Sequence, residues 1–343
     1  MLTARPERDP CAGGVLLEVH GTGVCGTDLH IEAGEYPSHP PVTLGHEISG
    51  VVVEVGPGVE VQWLGERVVC ETFFSTCGRC RWCRDGRPNL CAERQSIGTH
   101  VDGGFAPRVV VPSANLHRVP EWLGAHAAAL AEPLACVCQS MLDPAVAGPG
   151  DRVLVVGPGP IGVLAAQVAR ALGGAVVVSG LPADADRLAL VRSLGIVAVD
   201  GDGDLEEVDV VIDASGSAGG AAACLEAVRR GGRFVQIGIF GHDVCVPLDL
   251  VLKKEVELST GFASTPRSWR RALALIERRD VELGPLVSKV APLRDWQGIF
   301  ADLRASRGMK VIMDPRLDGD GHADGSAADS ALKTATAGVP RRS

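Results

Sequence analysis

The sequence of 343 residues is poor in aromatic side chains, in positive charge and in long apolar runs. Phe, Trp and Tyr supply only 4% of it, so its cores must be aliphatic. Acidic residues outnumber basic ones by 42 to 33, and the formal net charge of −9 disfavours binding to a nucleic-acid backbone. No apolar run approaches the roughly 18 residues of a membrane span, and the N-terminus lacks the apolar centre of a signal peptide. We therefore expect a cytoplasmic protein that binds neither nucleic acid nor membrane.

Cysteine, glycine and proline are plentiful instead. The chain has 43 Gly and 22 Pro, which predict many tight turns, and its length predicts about two domains. It also has eleven cysteines. In an intracellular enzyme of this size, metal binding or catalysis is a more common use of such cysteines than disulfide formation.

The pattern of short apolar runs divides the chain into two regions. Up to about residue 135, β-forming runs alternate with Gly and Pro turns, which predicts mostly β structure with strands at 15–19, 48–55, 67–71 and 108–111. From about residue 150, strands alternate with helices, which predicts a parallel sheet. We expect strands at 152–156, 176–179, 209–214, 233–237 and 310–313, and helices at 161–172, 187–194, 221–230 and 269–279. The composition of 317–343 predicts a disordered tail.

Four cysteines follow one another at the tight spacing of a zinc-binding loop: Cys77, Cys80, Cys83 and Cys91. Thiolates spaced in this way can surround one tetrahedral Zn²⁺, and four of them leave no open coordination position, so this zinc would be structural. One alternative is four unrelated core cysteines, which the polar, Arg-rich loop disfavours. A second is a zinc module that binds nucleic acid, which the acidic chain disfavours.

Further metal-ligating residue types are spread along the chain. Cys25 precedes the adjacent pair His46 and Glu47, and Glu132 lies much later in an apolar stretch. A lone Cys is more often a small buried hydrophobe, and a lone His is more often structural. A carboxylate in apolar surroundings is costly unless it is paired or bound to a metal. Glu132 is therefore a candidate functional residue.

A glycine-rich turn follows the strand expected at 152–156. Its residues are Gly157, Gly159, Pro160, Ile161 and Gly162, and they fit the dinucleotide-binding pattern. The first Gly permits the turn, the second admits the pyrophosphate, and the third lets the helix pack on the strand. Gly180 stands where an acidic residue usually binds the adenosine ribose, and this departure slightly favours NADP over NAD. Arg187 either binds a 2′-phosphate or begins the next helix.

Taken together and in order, these motifs resemble those of the zinc-dependent medium-chain alcohol/polyol dehydrogenases. The nearest branch is the sorbitol (iditol) and threonine dehydrogenase group. The resemblance covers about residues 14–315 and implies an α/β fold of two domains. A GroES-like, β-rich catalytic domain would comprise 1–135 and 281–316, and a Rossmann domain with a doubly wound parallel sheet would comprise 136–280. Members usually carry a β-hairpin before the segment that corresponds to 14–19, and this sequence either begins after it or lacks it.

The resemblance implies a zinc-dependent oxidoreductase that transfers a hydride between a secondary alcohol, of the polyol or sugar-alcohol type, and NAD or NADP. It implies two Zn²⁺ ions per chain, a structural one in the four-cysteine loop and a catalytic one on Cys25 and His46. Either Glu47 or Glu132 would be the third protein ligand of the catalytic ion. L-threonine or another hydroxy compound is an alternative substrate. A non-catalytic zinc protein, with one ion per chain, is the alternative of another class.

The resemblance also implies roles for residues around the zinc. Thr27 and His30 would relay a proton to solvent, and Asp28 would orient the ring of His46. Segments after the later strands would line the ribose and nicotinamide pocket, through Ser215, Ile237, Gly238 and Phe262. The partners implied are a small alcohol or ketone and further copies of the chain, in a homodimer or homotetramer.

Overall fold

The structure is a computed structural model that describes residues 2–3, 8–201 and 207–319. Within this part of the chain, strands β1 to β15 comprise Gly14–Gly23, Glu47–Val55, Arg67–Cys70, Phe73–Ser75, Gln95–Ser96, Arg108–Pro112, Leu116–Arg118, Arg152–Val156, Ala175–Gly180, Val197–Asp200, Val208–Asp213, Val228–Gln236, Glu257–Thr260, Val287–Ala291 and Lys310–Met313. Helices α1 to α10 comprise Gly26–Glu32, Arg81–Arg84, Ala125–Ala128, Ala131–Met141, Pro160–Ala171, Ala185–Ser193, Ala218–Ala227, Asp249–Lys253, Pro266–Glu277 and Trp296–Arg304.

The first sheet is formed mainly by the N-terminal strands. Its order is β14-β15-β1-β2-β3-β7, with β6 also paired to β1, and all its pairs except β14–β15 are antiparallel. Val15, Leu17 and Val19 of β1 are fully buried and pack in one core with Ile48 and Val52 of β2. The sheet confirms the mostly β character predicted for the N-terminal region. Strands β14 and β15 return to it from the far end of the described chain.

The second sheet is parallel, as the alternation of strands and helices predicted. Its order is β10-β9-β8-β11-β12-β13. The chain runs outwards from β8 to β10 and then returns to β11 on the other side of β8, so the order reverses between β8 and β11. In an open parallel sheet, ligands bind beyond the carboxyl ends of the strands at this reversal. The glycine-rich turn lies there, between β8 and α5.

Helix α4 connects the two sheets. It packs against α5 and α9, which lie beside the parallel sheet, and it also contacts β2 and β3 of the first sheet. The domain boundary expected after residue 135 falls within this helix. Helix α7 ends at Ala227, three residues before the predicted end, because Val228 already pairs with Val208 at the start of β12. No helix among the described residues is both long enough and apolar enough to cross a membrane.

The beginning of the predicted tail is ordered, which corrects the sequence analysis. Leu317 and Asp318 belong to a 3-10 turn over Pro315–Asp318. The Asp318 carboxylate accepts hydrogen bonds from the backbone N–H of Leu293 at 2.6 Å and of Arg294 at 3.0 Å. These bonds attach the turn to the preceding chain. The rest of that prediction, from residue 320, lies outside the described residues.

Candidate active site

The four cysteines of the loop lie close together. They are Cys77, Cys80, Cys83 and Cys91, and their sulfur atoms all lie within 4.8 Å of one another. The Sγ of Cys77 is 3.6 Å from that of Cys91 and 4.0 Å from that of Cys83. Tetrahedral zinc with Zn–S bonds of about 2.3 Å separates its sulfurs by about 3.8 Å. The residues therefore fit a zinc ion with four thiolate ligands.

Backbone amides surround these sulfurs. The N–H of Cys80 donates to the Sγ of Cys77 at 3.3 Å, and the N–H of Cys83 donates to the Sγ of Cys80 at 3.5 Å. Hydrogen bonds from the backbone of Arg79 and Cys80 lower the pKa of the Cys77 thiol to about 6. The backbone N–H of Cys83 lowers the pKa of the Cys80 thiol, but burial and the neighbouring cysteine side chains outweigh it and raise the pKa to about 11. The loop thus favours the metal-binding thiolate form at Cys77 and not at Cys80.

A second cluster combines three ligand types. One ligand atom each from Cys25, His46 and Glu47 lies within 4.8 Å of the other two. Cys25 immediately precedes α1, His46 immediately precedes β2, and Glu47 is the first residue of β2, so the cluster forms where β1 and β2 pair. Sulfur, imidazole nitrogen and carboxylate oxygen are the donor types that bind zinc, and three protein donors leave a fourth position open. This donor set fits a catalytic zinc ion.

Asp28 connects the two chain segments that carry the first two ligands. Its fully buried carboxylate accepts hydrogen bonds from the backbone N–H of Cys25 at 2.9 Å and of Gly45 at 3.2 Å. Its Oδ1 lies 3.7 Å from the Nδ1 of His46, which is too long for a hydrogen bond. Asp28 therefore positions the backbone beside Cys25 and His46. Burial lowers the pKa of the His46 imidazole, but the Asp28 carboxylate is near enough to the ring to raise it, and the orienting role that the resemblance implied stays a prediction.

Lys310 pairs with Glu47 and was not predicted from the sequence as a site residue. The Nζ of Lys310 lies 2.6 Å and 2.9 Å from the two carboxylate oxygens of Glu47, and both residues are buried. Burial lowers the pKa of Lys310, but the Glu47 carboxylate, together with Cys25 and Glu132, outweighs burial and leaves the pKa above its usual value. Lys310 therefore remains a cation inside the protein. The available signal was a lysine at the start of an apolar strand, a costly residue there unless it is paired.

Glu132 lies outside this group of three but is electrostatically coupled to it. The hydroxyl of Thr72 donates to the Oε1 of Glu132 at 2.7 Å, and the thiol of Cys136 approaches the same oxygen at 3.5 Å. Burial raises the pKa of Glu132, and the neighbouring Glu47 adds to this effect. Cys136 lies four residues after Glu132 on α4, so one helical turn places both on one face. Neither Thr72 nor Cys136 was assigned a role from the sequence.

Thr27 and His30 lie on the same short helix, α1. The thiol of Cys25 is 3.7 Å from the Thr27 hydroxyl, so Thr27 borders the cluster. The ring of His30 is 42% exposed and donates through Nδ1 to the Glu35 carboxylate at 2.7 Å. A Cβ on Gly241, which follows β12, would lie 3.3 Å from this ring. His30 therefore lies where the helix meets the chain between β12 and β13.

A cavity of about 1240 Å³ opens beyond the carboxyl ends of β8, β9 and β11. Five of the predicted cofactor residues line it: Gly157, Gly159, Gly180, Arg187 and Ser215. The other six do not line it: Pro160, Ile161 and Gly162 in α5, Ile237 and Gly238 after β12, and Phe262 after β13. All eleven lie near the same edge of the parallel sheet.

The glycine-rich turn fits a bound pyrophosphate. Gly157 has φ +102°, and a Cβ on Gly162 would lie 1.9 Å from the carbonyl oxygen of Gly157. A Cβ on Gly159 would meet nothing within 4 Å, so the turn leaves open space beside its backbone. That space adjoins the start of α5, whose backbone N–H groups favour an anion. The residues therefore fit a dinucleotide cofactor.

The two residues considered for the adenosine end have other constraints. A Cβ on Gly180 would lie 2.7 Å from the Cγ of Pro158, so an acidic side chain there requires Pro158 to move. The guanidinium of Arg187 donates to the carbonyl oxygens of Ser306 at 2.8 Å and Gly308 at 3.0 Å. Arg187 thus links α6 to the turn between α10 and β15 across the cavity, and its N–H groups already donate to oxygen atoms of the protein.

Comparison with known proteins agrees with this geometry. The family model for the alcohol dehydrogenase GroES-like domain matches residues 11–121, and that for the zinc-binding dehydrogenase matches residues 160–278. The sorbitol dehydrogenase of Halalkalibacterium halodurans is 36% identical over 324 residues, covering 91% of this chain and 94% of the relative. The D-arabitol-phosphate dehydrogenase of Enterococcus avium is 36% identical over 319 residues, covering 88% and 89%.

Solved structures show the same similarity. A protein of Sinorhizobium meliloti 1021, described as a zinc-binding dehydrogenase and bound to NADP, superposes with a TM-score of 0.82 at 33% identity. The superposition covers 90% of this chain and 94% of that one. The chain belongs to the zinc-dependent medium-chain alcohol/polyol dehydrogenase family. It is an oxidoreductase that uses zinc and NAD or NADP.

Proposed function

We propose that this enzyme reversibly oxidises a secondary hydroxyl of a polyol or sugar alcohol to a ketone and transfers the hydride to NAD or NADP. The observation that carries the proposal is the grouping of Cys25, His46 and Glu47 within 4.8 Å, which fits a catalytic zinc with an open position. The similarity to enzymes named for sorbitol and D-arabitol phosphate supports a polyol substrate.

The proposal assigns two zinc ions to each chain. The four-cysteine loop would hold the structural ion, and Cys25, His46 and Glu47 would hold the catalytic one. The close grouping supports Glu47 over Glu132 as third ligand. At such a site, the chemistry that zinc supplies is Lewis acidity, which lowers the pKa of an alcohol. Glu132 would then be the carboxylate beside the open position, with Oε1 held by Thr72 and Cys136.

Thr27 and His30 would carry the released proton. They are three residues apart on α1, so their side chains share one face of the helix. Thr27 borders the Cys25 thiol, and His30 is partly exposed, which supports a path from the buried cluster to solvent. The hydrogen bond from the Nδ1 of His30 to Glu35 would hold the ring in place and leave Nε2 for proton transfer.

The domain division and self-association are further parts of the proposal. Residues 1–135 and 281–316 would form the catalytic domain, and 136–280 would form the cofactor domain.

Strand β13 is the last strand on its side of the parallel sheet, and several apolar side chains on or near it are exposed: Ile239, Leu248, Leu252 and Leu258. An exposed edge with apolar neighbours favours pairing with a second copy, in a homodimer or homotetramer. Free cysteines support a reducing, cytoplasmic location.

A substrate screen tests the proposal. Polyols, their phosphates, sugars and L-threonine are each supplied with NAD or NADP, and the absorbance of the reduced cofactor is followed. We expect turnover with a polyol that has a secondary hydroxyl. Turnover with L-threonine alone would replace the substrate class, and binding of one zinc ion per chain without turnover would contradict the catalytic assignment.

A further inference from the structure

The segment 261–265, which follows β13, contacts other parts of the protein on two sides. On one side it approaches α4 so closely that a Cβ on Gly261 would lie 2.4 Å from the Oγ of Ser140 and 2.8 Å from its backbone nitrogen. The hydroxyl of Thr265 also lies 2.8 Å from the Oε1 of Gln139. This side of the segment therefore packs against α4, the same helix that carries Glu132.

The other side is held by the four-cysteine loop. The amide Nδ2 of Asn89 donates to the backbone carbonyl oxygen of Phe262 at 2.9 Å, across 173 positions of the sequence. Asn89 is only 1% exposed, so the amide has no access to bulk water as an alternative partner. The guanidinium of Arg94 lies 5.0 Å from the centre of the Phe262 ring. The loop thus holds the main chain of Phe262, and Arg94, three residues after its last cysteine, contacts the side chain.

The position of Asn89 within the loop couples it to the cysteines. It lies in the 3-10 turn Pro88–Leu90, two residues before Cys91, whose Sγ is 3.6 Å from that of Cys77. A change in how Cys91 is held therefore acts on the short turn that presents the Asn89 amide.

The segment lies at the end of the sheet where we expect the nicotinamide. A dinucleotide crosses the carboxyl edge of a parallel sheet, with one mononucleotide on each side of the strand-order reversal. The cavity lined by Gly180 and Arg187 lies on the β9 side, which suits the adenosine half. The other half then extends past β11 towards β12 and β13, where Phe262 is 42% exposed.

We propose that Asn89 is a positioning residue through which the four-cysteine loop fixes the Phe262 segment and thereby the nicotinamide half of the cofactor. This inference rests on the cofactor site of the proposed function. It gives the loop a role in cofactor binding in addition to its expected role in stability. Loss of the Asn89 amide should weaken binding of the whole dinucleotide and leave binding of its adenosine half unchanged.

The test compares two ligands on each variant. Asn89→Ala and the milder Asn89→Ser are titrated with the reduced cofactor that the wild type prefers, and with the matching ADP-ribose or 2′-phospho-ADP-ribose, which lacks nicotinamide. The readouts are fluorescence for the reduced cofactor and calorimetry for both ligands. Since one hydrogen bond contributes about 0.5–1.5 kcal/mol net, we expect roughly two- to tenfold weaker binding of the reduced cofactor. Binding of the ADP-ribose should stay within error of the wild type.

Gln167→Ala is the matched control. This buried amide donates to the carbonyl oxygen of Glu282 at 3.1 Å, across 115 positions, and does not line the cavity. It should affect both ligands equally or neither. Equal weakening of both ligands in the Asn89 variants, or no change in either, would overturn the inference. If the wild type itself bound neither ligand, the proposed cofactor site would be wrong, which is a distinguishable result. Should Asn89→Ala fail to fold, Asn89→Ser still decides between these outcomes.

Discussion

The four-cysteine loop takes its ligands from fifteen consecutive residues, whereas the Cys25 cluster draws its ligands and their partners from residues as distant as Lys310. The loop sulfurs accept hydrogen bonds from the backbone amides of the loop itself. At the Cys25 cluster, charge is balanced by buried side chains from several elements. A local change can therefore destroy the site in the four-cysteine loop, whereas the Cys25 cluster depends on the folding of the whole first sheet and on α4.

Substitution of Cys25 should have the largest effect on activity. Cys25→Ser removes the sulfur ligand from the catalytic cluster, so we expect turnover to fall below detection while circular dichroism and the melting temperature stay close to those of the wild type. Cys245→Ser, at an exposed cysteine away from both clusters, is the control and should be fully active. Retained activity in Cys25→Ser would remove this residue from the ligand set.

Lys310→Met should have the largest effect on stability. In the zinc-free protein it leaves the Glu47 carboxylate buried without a cation, which typically costs about 3–5 kcal/mol. Urea unfolding at neutral pH measures this loss. Lys253→Met is the control, because Lys253 pairs with Asp249 at 3.5 Å on the surface, and such exposed pairs contribute at most about 1 kcal/mol. Equal losses in the two variants would contradict a dominant role for the buried pair.

Cys80→Ser should remove the metal site of the loop and leave the Cys25 cluster intact. We expect the zinc content to fall by one ion per chain and the melting temperature to fall by roughly 5 °C, since metal binding contributes to folding. Metal analysis and thermal unfolding are the measurements, with Cys11→Ser, at an exposed cysteine, as control. An unchanged melting temperature together with unchanged metal content would mean that the loop binds no structural zinc.

Thr72→Val should give the smallest effect. The substitution keeps the shape of the side chain but removes the hydroxyl that donates to Glu132 at 2.7 Å. We expect kcat to fall by roughly two- to tenfold, because a typical hydrogen bond contributes about 0.5–1.5 kcal/mol net. Ser193→Ala, at an exposed hydroxyl that donates to the backbone carbonyl oxygen of Leu190 at 2.7 Å, is a control that should leave kcat unchanged. A loss as large as that in Cys25→Ser would mean that Thr72 does more than orient Glu132.

The same contrast explains how much the sequence could predict. The four-cysteine loop and the glycine-rich turn are local, so residue spacing alone indicated their chemistry. Cys25 and His46 are weak signals by themselves, and only the resemblance of the whole set of motifs connected them. The parallel sheet followed from alternating strands and helices, but the end of α7 did not, because pairing of Val228 with Val208 determines it.

Residues whose partners are distant in sequence could not be found from the sequence. Lys310 and Thr72 have roles only because β15 and the chain after β3 reach Glu47 and Glu132. Arg187 was considered as a phosphate ligand or as the start of a helix. It lies in the first turn of α6, and its guanidinium also donates to carbonyl oxygens near Gly308, a contact that the sequence did not predict. The sequence shows the chemistry of a charged side chain, but tertiary packing determines which residue becomes its partner.

The position of Lys310 on β15 also has a consequence for biosynthesis. Glu47 is synthesised more than 250 residues before Lys310, so its carboxylate has no Lys310 partner while the strands of the parallel sheet are being synthesised. Burial of Glu47 in its final environment must therefore be a late event of synthesis. A nascent chain arrested before β15 could complete the parallel sheet and hold metal in the four-cysteine loop. It would still lack a mature catalytic cluster.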